Sequence, residues 1–95
     1  MSDIVVRQDH ALSPEEAKSR ISGLEEMMGK YGVQAEWAGN HAELKGMAIS
    51  GSIEVSDAEV VVSIKLGMMA KAVGVDPDRL KASIEKRLGP ALTEA

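Results

Sequence analysis

The chain has 95 residues, which is enough for one domain with its own core and too few for two domains. Apolar residues make up 44% of the chain and charged residues 27%, a composition that excludes a disordered polypeptide, and a net charge of −4 argues against a nucleic-acid-binding protein. Cysteine is absent, which excludes disulfides, thiolate nucleophiles and zinc–thiolate sites and leads us to expect a reducing cytoplasm.

The N-terminal third of the chain predicts a strand and then a helix. The predicted strand covers Ile4–Arg7. Its apolar run is too short for the core of a signal peptide. No apolar run in the chain approaches the roughly 20 residues of a membrane span. Ser13 is the predicted N-cap of the helix, with Pro14 at the first helical position, Glu16 closing a capping box and Gly32 as C-terminal cap. The apolar stripe of this helix consists of Ala17, Ile21, Leu24, Met28 and Tyr31.

The middle of the chain has the period of two that is typical of strands, and it predicts two hairpins. Residues 33–37 and 41–45 form the first hairpin, which Gly39 and Asn40 close as two residues with positive φ. Residues 48–55 and 59–66 form the second hairpin around a turn at 56–58. The inward-facing positions of the second hairpin are Ile49, Gly51, Ile53, Val55, Val60, Val62, Ile64 and Leu66.

Three glycines lie inside predicted helices and strands. Gly23 and Gly29 each cost the first helix about 1 kcal/mol relative to alanine, and we expect a close approach to the sheet to explain them. Gly51 lies on the apolar side of its strand, where the missing side chain lets a crossing helix approach or lets the strand bend.

After Gly67 the alternation stops, and Met69, Ala72 and Val73 recur at the spacing of one or two helical turns. A longer helix then begins at Asp76 as N-cap and carries an apolar stripe. The stripe consists of Leu80, Ile84 and Leu88, and the helix ends at Gly89 and Pro90, with residues 90–95 as a loosely ordered tail. The sequence therefore predicts one α+β domain over residues 1–95, in the order β-α-β-β-β-β-α, with a curved antiparallel sheet and two helices packed on one face.

The residue types that carry chemistry are few and scattered. His10 follows Asp9, and neighbouring side chains on an extended segment point in opposite directions, so a hydrogen-bonded catalytic pair is geometrically poor. His41 follows a predicted turn on the polar side of a strand, where a solvated side chain is expected. There is no metal-ligand spacing and no glycine-rich phosphate loop. We predict no catalytic residue, no metal site and no cofactor.

Several segments resemble the polyhydroxyalkanoic acid system family, and they occur in the same order along nearly the whole chain. Members of this family are small bacterial proteins associated with storage-polyester granules. The segments are VRQDHALSPEEAKSRI, the strand end at Trp37 to Gly39, GMAISGSIEVSDAEVVVSIKLG and IEKRL. The positions that match the family pattern are Arg7, Asp9, His10, Glu16, Ala17, Gly51, Ile53, Val55, Leu66 and Gly67. Family members often have large apolar or aromatic residues after the Leu-Gly pair, and here Met68 and Met69 take those positions.

The resemblance implies a cytoplasmic, non-enzymatic accessory protein that binds the polyester granule or a granule-associated protein. We interpret the segment after the last strand as its flexible apolar contact surface, which consists of Leu66, Gly67, Met68, Met69 and Val73. An alternative is a small hydrophobic-ligand or lipid-binding module, which requires an internal cavity of several hundred Å³, roughly. A catalyst is the third and least favoured class. A homodimer is compatible with each class, because Val61 and Ala48 interrupt the polar face of the sheet.

Overall fold

A computed structural model of the protein describes residues 4–67, 74 and 76–93, which form five strands and three helices. These are β1 (Ile4–Asp9), α1 (Pro14–Arg20), α2 (Ser22–Lys30), β2 (Gln34–Ala38), β3 (His41–Lys45), β4 (Ile49–Val55), β5 (Glu59–Leu66) and α3 (Pro77–Thr93). The predicted α+β class and the order of strands and helical regions are confirmed. The short helix predicted around Met69 and Val73 lies outside the described residues.

The strands form one open antiparallel sheet in the order β1-β5-β4-β3-β2. β1 and β5 are therefore neighbours, although a helical region and three strands separate them in the chain. β1 extends two residues beyond its predicted end, because Gln8 and Asp9 pair with Val60 and Glu59. Side chains from the alternate, inward positions of the strands join those of all three helices in one buried apolar core. The helices thus cover one face of the sheet and leave its outer face uncovered by any described element.

The predicted first helix is divided at Ile21, which ends α1 and begins α2. Ser13 caps α1 as predicted, since its Oγ accepts a hydrogen bond from the amide of Glu16 at 3.2 Å, while the carboxylate of Glu16 pairs with Arg20 at 3.1 Å. Four residues of the predicted stripe, Ala17, Ile21, Leu24 and Met28, are buried as predicted. Met27 joins the core, and Tyr31, predicted in the stripe, is 41% exposed beyond the end of α2.

The reasons expected for the three glycines need correction. A Cβ atom on Gly23 or Gly29 would meet no atom within 4 Å, so close approach to the sheet does not explain either residue. At Gly51 the constraint comes from the neighbouring strand, because a Cβ there would overlap the carbonyl oxygen of Ser63 and lie 3.1 Å from Cα of Ile64. The backbone of β5, and not a crossing helix, approaches this position.

The turn between β2 and β3 has one positive φ where two were predicted. Gly39 has a φ of 65°, and no described residue other than glycine has a positive φ, which includes Asn40. A two-residue loop with positive φ only at its first position has the pattern of a type II′ turn. This turn fits the twist of a hairpin, as does a turn with two positive φ values.

The C-terminal helix is longer than predicted, because α3 continues through Gly89 and Pro90 to Thr93. Asp76 caps its start as expected, with Oδ1 accepting hydrogen bonds from the amides of Asp78 and Arg79 at 3.0 and 3.4 Å. Proline removes one amide donor from a helix interior, and burial of Leu92, which is 3% exposed, offsets that cost. The prediction of a loose tail is therefore wrong for residues 90–93, which belong to α3.

Candidate binding surface

Three connecting segments meet at one end of the sheet: the turn after α2, the turn between β3 and β4, and the end of β5. The amide of Gly67, directly after β5, donates a hydrogen bond to the carbonyl oxygen of Ala48 at 2.9 Å. A Cβ on Gly46 would lie 3.0 Å from the carbonyl oxygen of Gly32 and 3.0 Å from Cγ2 of Val33. The β3–β4 turn therefore contacts both of the other segments.

Apolar side chains are exposed at this end of the molecule. Met47, in the β3–β4 turn, is 94% exposed, while its neighbour Ala48 is only 9% exposed and belongs to the core. Tyr31 follows α2, and Leu66, the last residue of β5, is half-buried against the core and pairs with Ile49. We call Tyr31, Met47, Leu66 and Gly67 the apolar end.

Only part of the contact surface predicted from the sequence is described. Leu66 and Gly67 lie at the apolar end, and Met68, Met69 and Val73 fall outside the described residues. The sequence prediction did not include Met47, which is 19 positions before Leu66 and reaches the same end of the sheet through strand pairing. Its signal in the sequence is a large apolar residue in a tight turn, where polar residues are usual.

The imidazole of His10 takes part in a local turn after β1. Its Nδ1 accepts a hydrogen bond from the amide of Leu12 at 3.0 Å, and its own amide donates to the carbonyl oxygen of Ala58 at 2.9 Å. Nε2 is buried and has no hydrogen-bond partner among the described residues. These bonds tie the end of β1 to the β4–β5 turn, at the end of the sheet opposite to the apolar end.

His41 lies beside a surface depression on the outer face of the sheet. Its Nδ1 is 3.4 Å from Oε1 of Glu54, and both side chains are largely exposed. The depression has a volume of about 290 Å³ and is lined by Asn40, His41, Glu54, Val55, Ser56, Glu59 and Val61. Within the part of the chain that the structure describes, no three histidine, aspartate or glutamate side chains are grouped as metal ligands. This exposed His–Glu pair is remote from the apolar end.

A second ionic cluster, on the outer face, joins β2 and β3. Nζ of Lys45 is 3.0 Å from a carboxylate oxygen of Glu36 and 3.8 Å from one of Glu43. The hydrogen bond with Glu36 and the negative charges of Glu36 and Glu43 raise the pKa of Lys45 above its ordinary value. The cluster is solvent-exposed, so it affects the local charge of this face much more than the stability of the fold.

Trp37, the one tryptophan of the chain, links the helices to the edge strand β2. Its indole Nε1 donates a hydrogen bond to the carboxylate of Glu25 on α2. Nζ of Lys18 lies 4.9 Å from the centre of the tryptophan ring and donates to the carbonyl oxygen of Gly39 at 2.6 Å. These contacts fasten α1 and α2 onto β2.

Comparison with known families gives one match that spans almost the whole chain. A family model with the description "Putative polyhydroxyalkanoic acid system protein" matches residues 4–92. The match runs through every described strand and helix, and it includes the β3–β4 turn and the end of β5. The comparison with curated proteins gave no match, and neither did the comparison with solved structures. No helix in the described ranges is long and apolar enough to cross a membrane.

Proposed function

The chain belongs to the polyhydroxyalkanoic acid system family, and on that premise we propose that it is a non-enzymatic accessory protein that binds the surface of the polyester granule through its apolar end. The single observation that carries the proposal is the 94% exposure of Met47 on a turn that contacts two other segments of the same end. The chain continues from this end into Met68 and Met69.

The chemistry of the apolar end suits a surface that has no fixed shape. Methionine is unbranched and has a polarisable thioether, so its side chain adapts to an irregular apolar partner. Removing one such side chain from water contributes about 1.5–3 kcal/mol, which makes Met47 alone a substantial anchor. An aliphatic polyester offers apolar groups without regular hydrogen-bond partners, and an adaptable side chain is well matched to it.

Granule binding accounts for the exposed residues without a catalytic step. His10 uses Nδ1 within its own turn, and the exposed pair of His41 and Glu54 lies at the other end of the sheet from Met47. In the proposal these histidines have no role in granule binding. The apolar end could instead bind a protein on the granule surface. The experiment below distinguishes such a protein partner from the polyester itself.

The experiment is co-sedimentation of the purified protein with native granules and, separately, with protein-free polyester particles. Met47→Ser and the double variant Met68→Ser, Met69→Ser are compared with the native chain, each checked for folding by circular dichroism. Val5→Ser is the matched control, since Val5 is also an exposed apolar residue, 45% exposed, but lies on the outer face of β1.

We expect the native protein and Val5→Ser to bind both materials, and Met47→Ser to bind both at least about tenfold more weakly. Binding to native granules but not to protein-free particles would replace the polyester with a granule protein as partner. Equal binding by the native chain and the methionine variants, or no binding to either material, would contradict the proposal.

A further inference from the structure

Met47 is the most exposed of the methionines that the structure describes. It is 94% exposed, whereas Met27 and Met28 on α2 are 6% and 2% exposed. The chain has no cysteine, so methionine thioethers are the only sulfur that it offers to an oxidant. We propose that Met47 is a site of reversible oxidation, and that its conversion to the sulfoxide releases the protein from the polyester. This inference rests on the proposed function, because it assigns a regulation to the apolar end.

The reaction transfers one oxygen atom from a peroxide to the thioether of Met47. A lone pair of the sulfur attacks a peroxide oxygen, the O–O bond breaks, and a sulfur–oxygen bond forms. The thioether is oxidised by two electrons, and hydrogen peroxide is reduced to one molecule of water, which keeps both hydrogen atoms. Because no side chain has to supply or remove a proton, access to the sulfur atom is the main requirement.

Burial protects the two methionines of α2. Met27 and Met28 belong to the apolar core, where a peroxide from solution meets the sulfur only when the helix opens. A sulfoxide oxygen is also a hydrogen-bond acceptor, and within the described part of the chain the core contains no buried polar residue that could donate to it. In the folded protein, oxidation of Met47 therefore precedes oxidation of Met27 and Met28.

The turn that carries Met47 accepts the added oxygen without a change of fold. Ala48, which the alternation of its strand predicted on the outer face of the sheet, is instead 9% exposed and packs in the core. Its carbonyl oxygen accepts the bond of 2.9 Å from the amide of Gly67. On the other side of Met47, a Cβ on Gly46 would lie 2.9 Å from the carbonyl oxygen of Ile49. The backbone is thus held on both sides, while the sulfur lies in solvent.

The sulfoxide is a poor anchor for an aliphatic polyester. A thioether is apolar and polarisable, whereas a sulfoxide is polar and accepts hydrogen bonds from water. The ester oxygens along a polyester chain are acceptors too, so they cannot replace that water. Methionine sulfoxide reductases reverse the step with two thiols, which become a disulfide as the oxygen leaves in water. Oxidation therefore weakens the contact, and reduction restores it.

Peroxide treatment followed by peptide mass spectrometry tests the selectivity of oxidation. The protein is the full chain with Met68→Leu and Met69→Leu, so that oxidation at those two positions does not contribute to any change in binding. We expect Met47 to be oxidised at least about tenfold faster than Met27 and Met28. Equal rates in a sample that circular dichroism shows to be folded would overturn the assignment of Met47 as the oxidation site.

Binding to protein-free polyester particles is measured before peroxide, after peroxide, and after treatment with methionine sulfoxide reductases and a dithiol. We expect oxidation of Met47 to lower the affinity by about tenfold or more, and reduction to restore it. The matched variant adds Met47→Leu, whose apolar side chain peroxide does not oxidise. Each protein is compared with its own untreated sample, and we expect peroxide to leave the affinity of the Met47→Leu variant as it was.

The results distinguish a failure of this inference from a failure of granule binding. An untreated chain that does not bind the particles would contradict granule binding and the release step together, while the mass spectra still decide whether Met47 is the oxidation site. An untreated chain that binds, and keeps its affinity after complete oxidation of Met47, would overturn the release step alone. An equal loss of affinity in the Met47→Leu variant would assign the effect to another residue and overturn the role of Met47.

Discussion

The amide nitrogen of Gly67 donates a hydrogen bond to the carbonyl oxygen of Ala48 at 2.9 Å, which joins the end of β5 to the turn that carries Met47. Ala48 is buried and Met47 is exposed, so the turn is anchored by one residue and presents the other to solvent. The end of β5 therefore lies beside the turn that carries Met47, a methionine that is distant in sequence. The apolar end is a product of strand pairing and not of one continuous segment.

Gly51→Ala tests the close approach of β4 and β5. A Cβ at this position would overlap the carbonyl oxygen of Ser63, and neither strand can move without disturbing its pairing. We expect a loss of about 2–3 kcal/mol in the free energy of unfolding, from overpacking. Urea denaturation followed by circular dichroism measures it.

Gly29→Ala is the matched control for that variant. The new Cβ would meet no atom within 4 Å, and Gly29 lies within α2, where alanine is the better helix former. We expect a gain of about 0.5–1 kcal/mol. Equal effects of the two alanine substitutions on the denaturation midpoint would show that the strands are not packed as described.

Glu25→Ala tests the attachment of the helices to β2. The substitution removes the acceptor of the indole hydrogen bond of Trp37, whose ring also lies beneath Nζ of Lys18. We expect a loss of about 1.5–3 kcal/mol, which is typical for a hydrogen bond to a charged group. Because Trp37 is the one tryptophan, its fluorescence reports the change directly, and an unaltered emission spectrum together with unaltered stability would contradict the contact.

Local signals in the sequence identified most of the fold because they depend on neighbouring residues. The alternation from Glu59 to Leu66 predicted β5 with its observed bounds, and Ser13 and Asp76 were identified as helix caps from their own and the following residues. The errors lie where distant contacts decide the structure. Leu92 extends α3 past a proline because the core is there to receive it, and the exposed position of Met47 beside the end of β5 follows from the register of three strands.

Leu92→Ala tests whether the end of α3 belongs to the core. Leu92 is 3% exposed, and its removal creates a cavity in addition to the loss of buried apolar surface. We expect the free energy of unfolding to fall by about 2–4 kcal/mol. Pro90 is exposed, so Pro90→Ala serves as a comparison that should leave stability unchanged or raise it, because it restores an amide donor to the helix. If Leu92→Ala left the free energy of unfolding unchanged, residues 90–93 would not be packed against the core and would form a loose tail.

The Lys45 cluster predicts a dependence on pH in alkaline solution. Its pKa is raised by Glu36 first and by Glu43 to a smaller extent, so the favourable interaction is complete below the ordinary lysine pKa and is lost as the pH rises through the raised value. We expect Glu36→Gln to lower the pKa of Lys45 more than Glu43→Gln does. A carbon-detected NMR titration of the lysine side chains measures both shifts, and the opposite ranking would contradict the 3.0 Å contact with Glu36.

The most direct test of granule binding is an adsorption isotherm on protein-free polyester particles, which compares the native chain with Met47→Ser at matched concentration. Met47 is almost fully exposed, so its replacement leaves the core intact, and any change in affinity reports on the surface itself. We predict the same thermal unfolding for the two proteins and an affinity at least about tenfold lower for Met47→Ser, which corresponds to the loss of roughly 1.4 kcal/mol of apolar contact. Superimposable isotherms would contradict the proposal that the apolar end is the contact with the granule.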